Sequence, residues 1–192
     1  MNAVTLGPAG TYSHRAARAV AAEVSFRESV TAIVDAVASG EFERGVVPIE
    51  NSIEGSVTES LDALADHDVS VTREVVTPIR HALLAQDDSF EVVASHSQAL
   101  AQCRNWLEAN YPDAGLEAVA STARGVERAR EDARVAGIGH PDNAGDDLSI
   151  LAADIQDRTS NATRFLVVAP ESARSDAGGK TTLRSEERRV GK

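Results

Sequence analysis

The feature that most constrains the fold is the alternation of short apolar runs with longer segments that have the 3.6-residue period of helices. The runs AVTL at 3–6, RGVVPIE at 44–50, FEVVASHS at 90–97 and RFLVVAP at 164–170 are each typical of a buried strand, and helix-like segments separate them. Strands that alternate with helices predict an α/β fold whose sheets are mostly parallel and flanked by helices. Ligands of such folds bind beyond the carboxyl ends of strands, against the first turns of helices.

The same pattern predicts two lobes on one chain. The segment TPIRHALLAQ at 77–86 is the expected crossing from the first lobe to the second, and the final strand is expected to return to the first lobe. The first lobe is therefore predicted over 1–78 with 160–170, the second over 79–159, and a separate tail over 171–192.

Local sequence features predict where several elements begin and end. An alanine-rich helix is expected over 13–24, with Ser13 as its N-cap. The strand RGVVPIE is expected to end at Pro48, and the turn PDNAGDDL at 141–148 is expected to lead into another helix. Cys103 is expected to be a small buried hydrophobe.

Charge argues against one class of function. The chain carries 30 acidic and 19 basic residues, a net charge of −11, whereas nucleic-acid binding needs a basic footprint. Only Lys180 and Lys192 are lysines, so 17 of the basic residues are arginines. Abundant carboxylates with almost no lysine are typical of a halophilic archaeon, whose salt screens the surface repulsion. A GC-rich genome is the alternative explanation.

Targeting and metal-binding signals are absent from the sequence. The N-terminal MNAVTLGPAG has no basic region followed by a long apolar run, and no apolar run reaches membrane-spanning length. The single cysteine excludes an internal disulfide and a cysteine-based zinc cluster, and the five histidines have no ligand spacing. We therefore expect a soluble cytoplasmic protein with no membrane partner and no bound metal.

Two polar clusters follow predicted strands. In GPAGTYS, Thr11 and Ser13 could hold an anion together with the amides of the following helix, although an ordinary strand–helix turn has the same composition. Glu50, Asn51 and Ser52 come directly after a strand end, where a ligand would bind. A polar turn satisfied by the Asn51 side chain is the alternative.

Two further strand–helix junctions carry hydroxyl and amide side chains. Ser95 ends the strand before the helix QALAQC, and Gln98 and Gln102 lie one helical turn apart on that helix. Ser121 and Thr122 repeat the pattern after LEAVA. Simple helix capping is the alternative interpretation of these hydroxyls.

The stretch NATRF at 161–165 places an arginine at the edge of a buried strand. Asn161 to Thr163 also fits the N-glycosylation sequon, but the lack of a secretion signal argues against that use. Arg164 suits a carboxylate as a forked donor. A structural salt bridge, for example with Glu50, is the alternative.

These motifs together resemble the catalytic domain of the prephenate dehydratase family. GPAGTYSHRAA, VPIENSIEGSV, SHSQALAQC, STARG, AGIGHPDNA and NATRFLVV occur in the order and approximate spacing of that family, over about residues 4–170. The resemblance implies a two-lobed fold similar to type II periplasmic binding proteins, with the active site in the inter-lobe cleft. It also implies conversion of prephenate to phenylpyruvate, water and carbon dioxide for phenylalanine synthesis, without a cofactor.

The resemblance also implies roles for individual residues. Thr163 is the implied proton donor to the leaving hydroxyl, and Arg164 beside it is the second implied catalytic residue. The residues expected to bind prephenate are Thr11, Ser13, Glu50, Asn51, Ser52, Ser95, Gln102, Thr122 and Asn161. A homodimer is expected.

Two other functions stay open at this point. A non-catalytic protein that binds small carboxylates could share the two-lobed fold. A phosphate-binding enzyme built on GPAGTYS is the other, although both lysines of the chain lie in the tail.

The sequence of the tail indicates an incomplete second domain. GGKTTL resembles the opening of the ACT regulatory domain, but RSEERRVGK at 184–192 has only Val190 as a strong hydrophobe. The tail is therefore expected to be a linker and the start of a truncated ACT domain, and to be disordered. No phenylalanine regulatory site is expected in this chain.

Overall fold

A computed structural model describes residues 1–52, 55–158 and 160–173. Short 3-10 helices lie at Pro141–Asn143 and Glu171–Ala173. The other elements, in chain order, are β1 (Asn2–Leu6), α1 (Tyr12–Arg18), β2 (Glu23–Arg27), α2 (Val30–Ala38), β3 (Arg44–Asn51), β4 (Gly55–Ser56), α3 (Thr58–Asp66), β5 (Val69–Pro78), β6 (Ala82–Ala85), β7 (Val92–Ser95), α4 (Ser97–Gln102), α5 (Arg104–Asn110), β8 (Gly115–Ala118), α6 (Thr122–Glu131), β9 (Val135–Gly139), β10 (Ser149–Ala153) and β11 (Ala162–Pro170).

The strands form two sheets, and we call each sheet with its helices a lobe. The first lobe has the strand order β2-β1-β3-β11-β5, with β4 paired to β3; the second has the order β10-β6-β9-β7-β8. The predicted α/β class with two helix-flanked sheets is confirmed. Only β2-β1-β3 and β9-β7-β8 are parallel, so the sheets are mixed rather than mostly parallel. In the first sheet, the reason is that β11 returns from the second lobe and enters from the end at which β3 and β5 leave the sheet. In the second sheet, β6 is antiparallel to both of its neighbours, β10 and β9.

The chain crosses between the sheets twice, and the two crossings are bonded to each other. The first leads from β5 to β6 and the second from β10 to β11. Ile79 N donates to the carbonyl of Asn161 at 2.9 Å, and Ile155 N donates to the carbonyl of His81 at 3.0 Å. The lobe boundaries expected from the sequence stay a prediction.

The lobes also touch away from the crossings. Asn143 Nδ2 in the second lobe donates to the carbonyl of Gly10 in the first at 2.8 Å. Arg15 Nη2 donates to Asp142 Oδ2 at 2.6 Å, in an ion pair whose carboxylate is largely exposed. These contacts hold the β1–α1 loop and α1 against the 3-10 helix that follows β9.

Each lobe has its own apolar core. In the first, helix α2 packs Ile33, Val34 and Val37 against the sheet. In the second, Cys103 is completely buried beside Leu107. The prediction that Cys103 is a small buried hydrophobe is confirmed, and burial raises the pKa of its thiol to about 12.

The helix predicted over 13–24 is shorter and begins earlier. It starts at Tyr12, because the side chain of Thr11 rather than Ser13 caps it by accepting from the backbone NH of His14. It ends at Arg18, and the residues EVSFR at 23–27 are not its continuation, since they alternate and pair along the whole of β1 as the parallel strand β2.

Two other predicted boundaries are wrong. Strand β3 continues through Pro48 to Asn51. Its neighbour β1 pairs with it only as far as Val46, so Pro48, which has no backbone NH, is not required to donate a hydrogen bond to β1. The register with β11 shifts at this point. The helix expected after the turn at 141–148 is instead strand β10, which pairs antiparallel with β6.

The tail is described only as far as Ala173, where the second 3-10 helix ends. The predicted truncated ACT domain lies, from residue 174 onward, outside the described residues. Within the described ranges, no helix has both the length and the apolar sequence that crossing a bilayer would require.

Candidate active site

A cleft of about 400 Å³ lies between the lobes, at the carboxyl ends of β1, β3 and β7. Both lobes contribute polar side chains to its wall, and no Asp, Glu, Lys or Arg lines it among the described residues. The polar wall residues are Thr11, Tyr12, Ser13, Asn51, His81, His96, Gln98, Gln102, Ser121, Thr122, Asn161 and Thr163. The structure thus brings together the predicted residues Thr11, Ser13, Asn51, Gln102, Thr122, Asn161 and Thr163.

Thr163 and Asn51 form the wall on the side of the first lobe. They lie opposite each other on the antiparallel strands β11 and β3. Asn51 Nδ2 donates to Thr163 Oγ1 at 3.0 Å, and Thr163 is only 9% exposed. Because this bond occupies a lone pair of the oxygen, the hydroxyl hydrogen of Thr163 stays available as a donor.

Arg164 does not line the cleft. Successive side chains of a strand point to opposite faces, and Thr163 is buried where Arg164 is exposed. The guanidinium lies 3.5 Å from Glu50 Oε2 and 3.3 Å from Glu74 Oε1. This geometry fits the alternative of a structural salt bridge, and it does not place Arg164 or Glu50 where a carboxylate in the cleft would bind.

Two predicted binding residues have structural partners instead. Ser95 is completely buried and donates to the carbonyl of Ile138 at 2.7 Å, which links β7 to β9. Ser52 Oγ accepts from the backbone NH of Ala162 at 2.9 Å and donates to Asn161 Oδ1 at 3.3 Å. Neither side chain lines the cleft, because each is engaged by the strands that flank it.

Helix α6 places Ser121 and Thr122 at the cleft. Ser121 caps the helix by accepting from the backbone NH of Arg124 at 3.0 Å. The helix lies very close to the sheet, because a Cβ on Gly125 would be only 2.4 Å from the carbonyl oxygen of Ala94. The first turn of a helix presents unpaired amides, so this approach brings N–H donors to the cleft wall.

Sequence reasoning missed Tyr12 and His81, which line the cleft. His81 is 2% exposed, and burial lowers its pKa, so the imidazole is neutral at pH 7. The Tyr12 hydroxyl donates to the carbonyl of Arg80, and burial raises its pKa above the usual value. No spacing rule marks these residues, since their partners are 21 to 69 positions away.

A second cavity, of about 640 Å³, adjoins the first and shares His96, Gln98 and Gln102 with it. Asp157 and Arg158 lie on its wall. Arg158 makes no ion pair with any other residue in the described part of the chain. Among the described residues that line this adjoining cavity, Arg158 is the one cationic side chain.

Comparisons with known proteins agree with this architecture. Residues 3–173 match the family model described as "Prephenate dehydratase". The bifunctional chorismate mutase/prephenate dehydratase of Aquifex aeolicus (strain VF5) is 40% identical over 185 residues, which cover 93% of this chain and 51% of the relative. The prephenate dehydratase of Amycolatopsis methanolica is 37% identical, with 88% of this chain and 60% of the relative covered.

A solved structure gives the same result at the level of the fold. The prephenate dehydratase of Arthrobacter aurescens, in complex with L-Phe, superposes with a TM-score of 0.80 and 31% identity, covering 96% of this chain and 63% of that one. This chain spans about half the length of the bifunctional relatives it matches.

Proposed function

The chain belongs to the prephenate dehydratase family, and from this premise we propose that it converts prephenate to phenylpyruvate in the formation of phenylalanine. The observation that carries the proposal is the hydroxyl of Thr163, which lies in the cleft wall with Asn51 bonded to its oxygen. No described residue accepts a hydrogen bond from this hydroxyl, so its hydrogen can be donated to a leaving group in the cleft.

The reaction breaks two bonds of the substrate. The electron pair of the bond between the ring and its carboxylate moves through the diene and expels the hydroxyl at the opposite ring carbon. Carbon dioxide leaves, the hydroxyl takes a proton and leaves as water, and the ring becomes aromatic. The protein must therefore hold the dianion and supply a proton at the leaving oxygen.

Thr163 is proposed to act at that oxygen. A threonine hydroxyl is a weak acid, so its contribution depends on position and on stabilisation of its oxygen as the proton moves. Asn51 Nδ2 provides that stabilisation, because a hydrogen bond donated to an oxygen favours its more negative form.

The lack of lysine and arginine among the described residues that line the cleft suits the carboxylate that is lost. Among the described residues that line the cleft, donors are hydroxyls, amides, imidazoles and the first turn of α6 rather than lysine or arginine. Neutral donors hold the ring carboxylate without the strong stabilisation that a paired cation would give. The ground-state charge is then less favoured relative to the transition state, in which it disperses into carbon dioxide and the ring.

Three further properties are part of the proposal. We propose that the protein works in the cytoplasm, which its similarity to biosynthetic enzymes supports. We propose a high-salt host, which the acidic, lysine-poor composition supports. The homodimer expected from the resemblance stays a prediction.

The test is the formation of phenylpyruvate, followed by its ultraviolet absorbance after the protein is mixed with prephenate. Thr163→Val keeps the shape of the side chain and removes the hydroxyl. We expect turnover to fall by about 10²–10⁴-fold, the usual contribution of a proton donor, while the dissociation constant for prephenate stays within about threefold. Thr77→Val is the matched control, since Thr77 lies opposite Thr163 on β5 but outside the cleft lining.

Two outcomes would contradict parts of this proposal. If the parent protein binds prephenate but yields no phenylpyruvate above the enzyme-free rate, the carboxylate-binding alternative is correct. If Thr163→Val keeps turnover within about threefold of the parent, the enzyme uses another proton donor.

A further inference from the structure

We propose that His81 is a positioning residue, which fixes the side-chain amide of Gln102 so that its NH₂ group faces the substrate. The inference rests on the proposed function, because it takes Gln102 to contact prephenate. His81 lies on the first crossing between the lobes and Gln102 on α4 of the second lobe.

The geometry begins at one oxygen atom. His81 Nε2 lies 3.0 Å from Gln102 Oε1, and Asn161 Nδ2 donates to the same oxygen at 2.8 Å. A carbonyl oxygen has two lone pairs. Both are therefore engaged, one by a residue of each crossing.

The protonation of His81 follows from its partner. Since Gln102 Oε1 can only accept, Nε2 of the neutral imidazole carries the proton and Nδ1 does not. The Tyr12 hydroxyl lies 3.5 Å from Nδ1 and already donates to the carbonyl of Arg80. Burial lowers the pKa of His81, which keeps the ring in this neutral form.

Hydrogen bonds of the main chain hold His81 and Gln102 next to each other. His81 N donates to Gln156 Oε1 at 2.9 Å, and Asp157 N donates to the carbonyl of Gln102 at 2.7 Å. Residues 155–157 therefore brace His81 and Gln102 together. Little freedom remains for the imidazole to move away from the amide.

The consequence is an amide with a fixed direction. A side-chain amide can rotate by a half turn with little change in shape, which exchanges its oxygen and nitrogen. With Oε1 held by two donors, the NH₂ group of Gln102 is directed away from His81 and Asn161. Gln102 lines both the cleft and the adjoining cavity, and the proposal places its NH₂ group at the cleft. Two N–H donors then meet the anionic substrate, whereas a rotated amide would present an oxygen and repel it.

The experiment is a double-mutant cycle read by the kinetics of phenylpyruvate formation. His81→Leu removes the donor, and Gln102→Met removes the amide while keeping the side-chain length. We expect His81→Leu to lower kcat/KM about tenfold, mainly through KM, and to have an effect of less than about twofold when Gln102 is already methionine. His81→Gln, which carries an amide nitrogen at a similar reach to Nε2, should recover most of the loss.

A structural role alone would give a different pattern. In that case the two effects would multiply in the double variant, and thermal stability would fall together with kcat/KM in His81→Gln as well. Either result would overturn the proposal.

A spectroscopic measurement shows which nitrogen of the His81 imidazole carries the proton, independently of turnover. The ¹⁵N chemical shifts of the His81 imidazole in the parent protein should be those of a protonated Nε2 and an unprotonated Nδ1. The opposite tautomer, or a charged ring at pH 7, would overturn the proposal even if the protein forms phenylpyruvate. If the parent protein forms no phenylpyruvate, the proposed function itself is wrong, and so is the proposed contact between Gln102 and the substrate.

Discussion

At the scale of single residues, Thr163 and Arg164 are neighbours with different surroundings. Thr163 is buried in the cleft wall, and Arg164 is half exposed between two glutamates on the other face of β11. An ion pair between exposed side chains contributes only about 0–1 kcal/mol. Arg164 is next to Thr163 in sequence, but its side chain faces away from the cleft. We therefore do not expect Arg164 to bind prephenate.

We predict that Arg164→Met leaves the KM for prephenate within about threefold of the parent and lowers stability by about 1 kcal/mol or less. Methionine keeps much of the apolar stem and removes the charge. Arg73→Met on the adjacent strand β5 is the control for loss of one positive charge, since Arg73 makes no ion pair within the described ranges. Steady-state kinetics and urea denaturation measure the two effects. A tenfold rise in KM that Arg73→Met does not reproduce would mean that Arg164 contacts the substrate.

The sequence predicted where the polar residues of the site lie, but it did not distinguish those that line the cleft from those that bond to the main chain. Ser95 and Gln102 both follow from one strand–helix junction, yet Ser95 is engaged by the carbonyl of Ile138 and only Gln102 reaches the cleft. The acceptor of the Ser95 hydroxyl is on a neighbouring strand, 43 residues away in sequence. The local sequence around Ser95 therefore does not show that its hydroxyl is engaged. His81 was missed for the same reason, because its role depends on contacts between the lobes.

At the scale of elements, helix α6 depends on one small residue. A Cβ on Gly125 would lie 2.4 Å from the oxygen of Ala94 and 2.8 Å from the Cα of Ser95, and both are backbone atoms that cannot rotate away. A methyl group here must push the helix off the sheet. Ser121 and Thr122 at its first turn would move with it.

We predict that Gly125→Ala lowers the free energy of unfolding by about 1–3 kcal/mol, the usual range for overpacking, despite the better helix propensity of alanine. It should also raise the KM for prephenate. Chemical denaturation and kinetics measure the two effects.

Gly115→Ala is the matched control on the same lobe. A Cβ there meets its nearest atoms at 3.7 and 3.8 Å, which is ordinary contact, so stability should change by less than about 0.5 kcal/mol. Equal stability of the two variants would show that α6 can shift without loss, which contradicts the prediction for Gly125.

Periodicity identified most elements but could not place all their limits. The alternation in EVSFR is short enough to be read as the end of a helix, and pairing with β1 decides that it is a strand. Strand β10 was missed because SILAA has little to distinguish it from a helix start, and its partner β6 lies more than 60 residues earlier in the chain.

At the scale of the whole molecule, charge is the property that sequence fixes most directly. Residues 1–170 carry a net charge of −13 with no lysine. Repulsion among these charges acts over about 10 Å at roughly 0.1 M salt and over longer distances below it.

We predict that the melting temperature rises as potassium chloride is increased from dilute buffer to about 1 M, because added salt shortens the range of repulsion. The matched variant replaces three exposed carboxylates that make no ion pair in the described part of the chain, as Asp88→Asn, Glu108→Gln and Asp113→Asn. It should melt higher than the parent in dilute buffer and respond less to salt. A melting temperature independent of salt, in parent and variant alike, would contradict adaptation to a high-salt host.

The alternation of strand and helix was sufficient to predict the α/β class and two sheets. It was insufficient for strand direction in the centre of the first sheet. The direction of β11 is decided by the return of the chain from the second lobe, and no local pattern within its nine residues records that return.

The two bonded crossings also restrict how the molecule can move. We expect two segments tied side by side to act as a hinge, so that opening of the cleft would be a rotation of the lobes about the paired crossings. Groups on the paired crossings, such as His81 and Asn161, would keep their mutual distances through that rotation. The Asn143–Gly10 bond joins the lobes through loops instead, so we expect the same rotation to lengthen it. The fold therefore separates bonds that maintain the geometry of the site from bonds that hold the cleft shut.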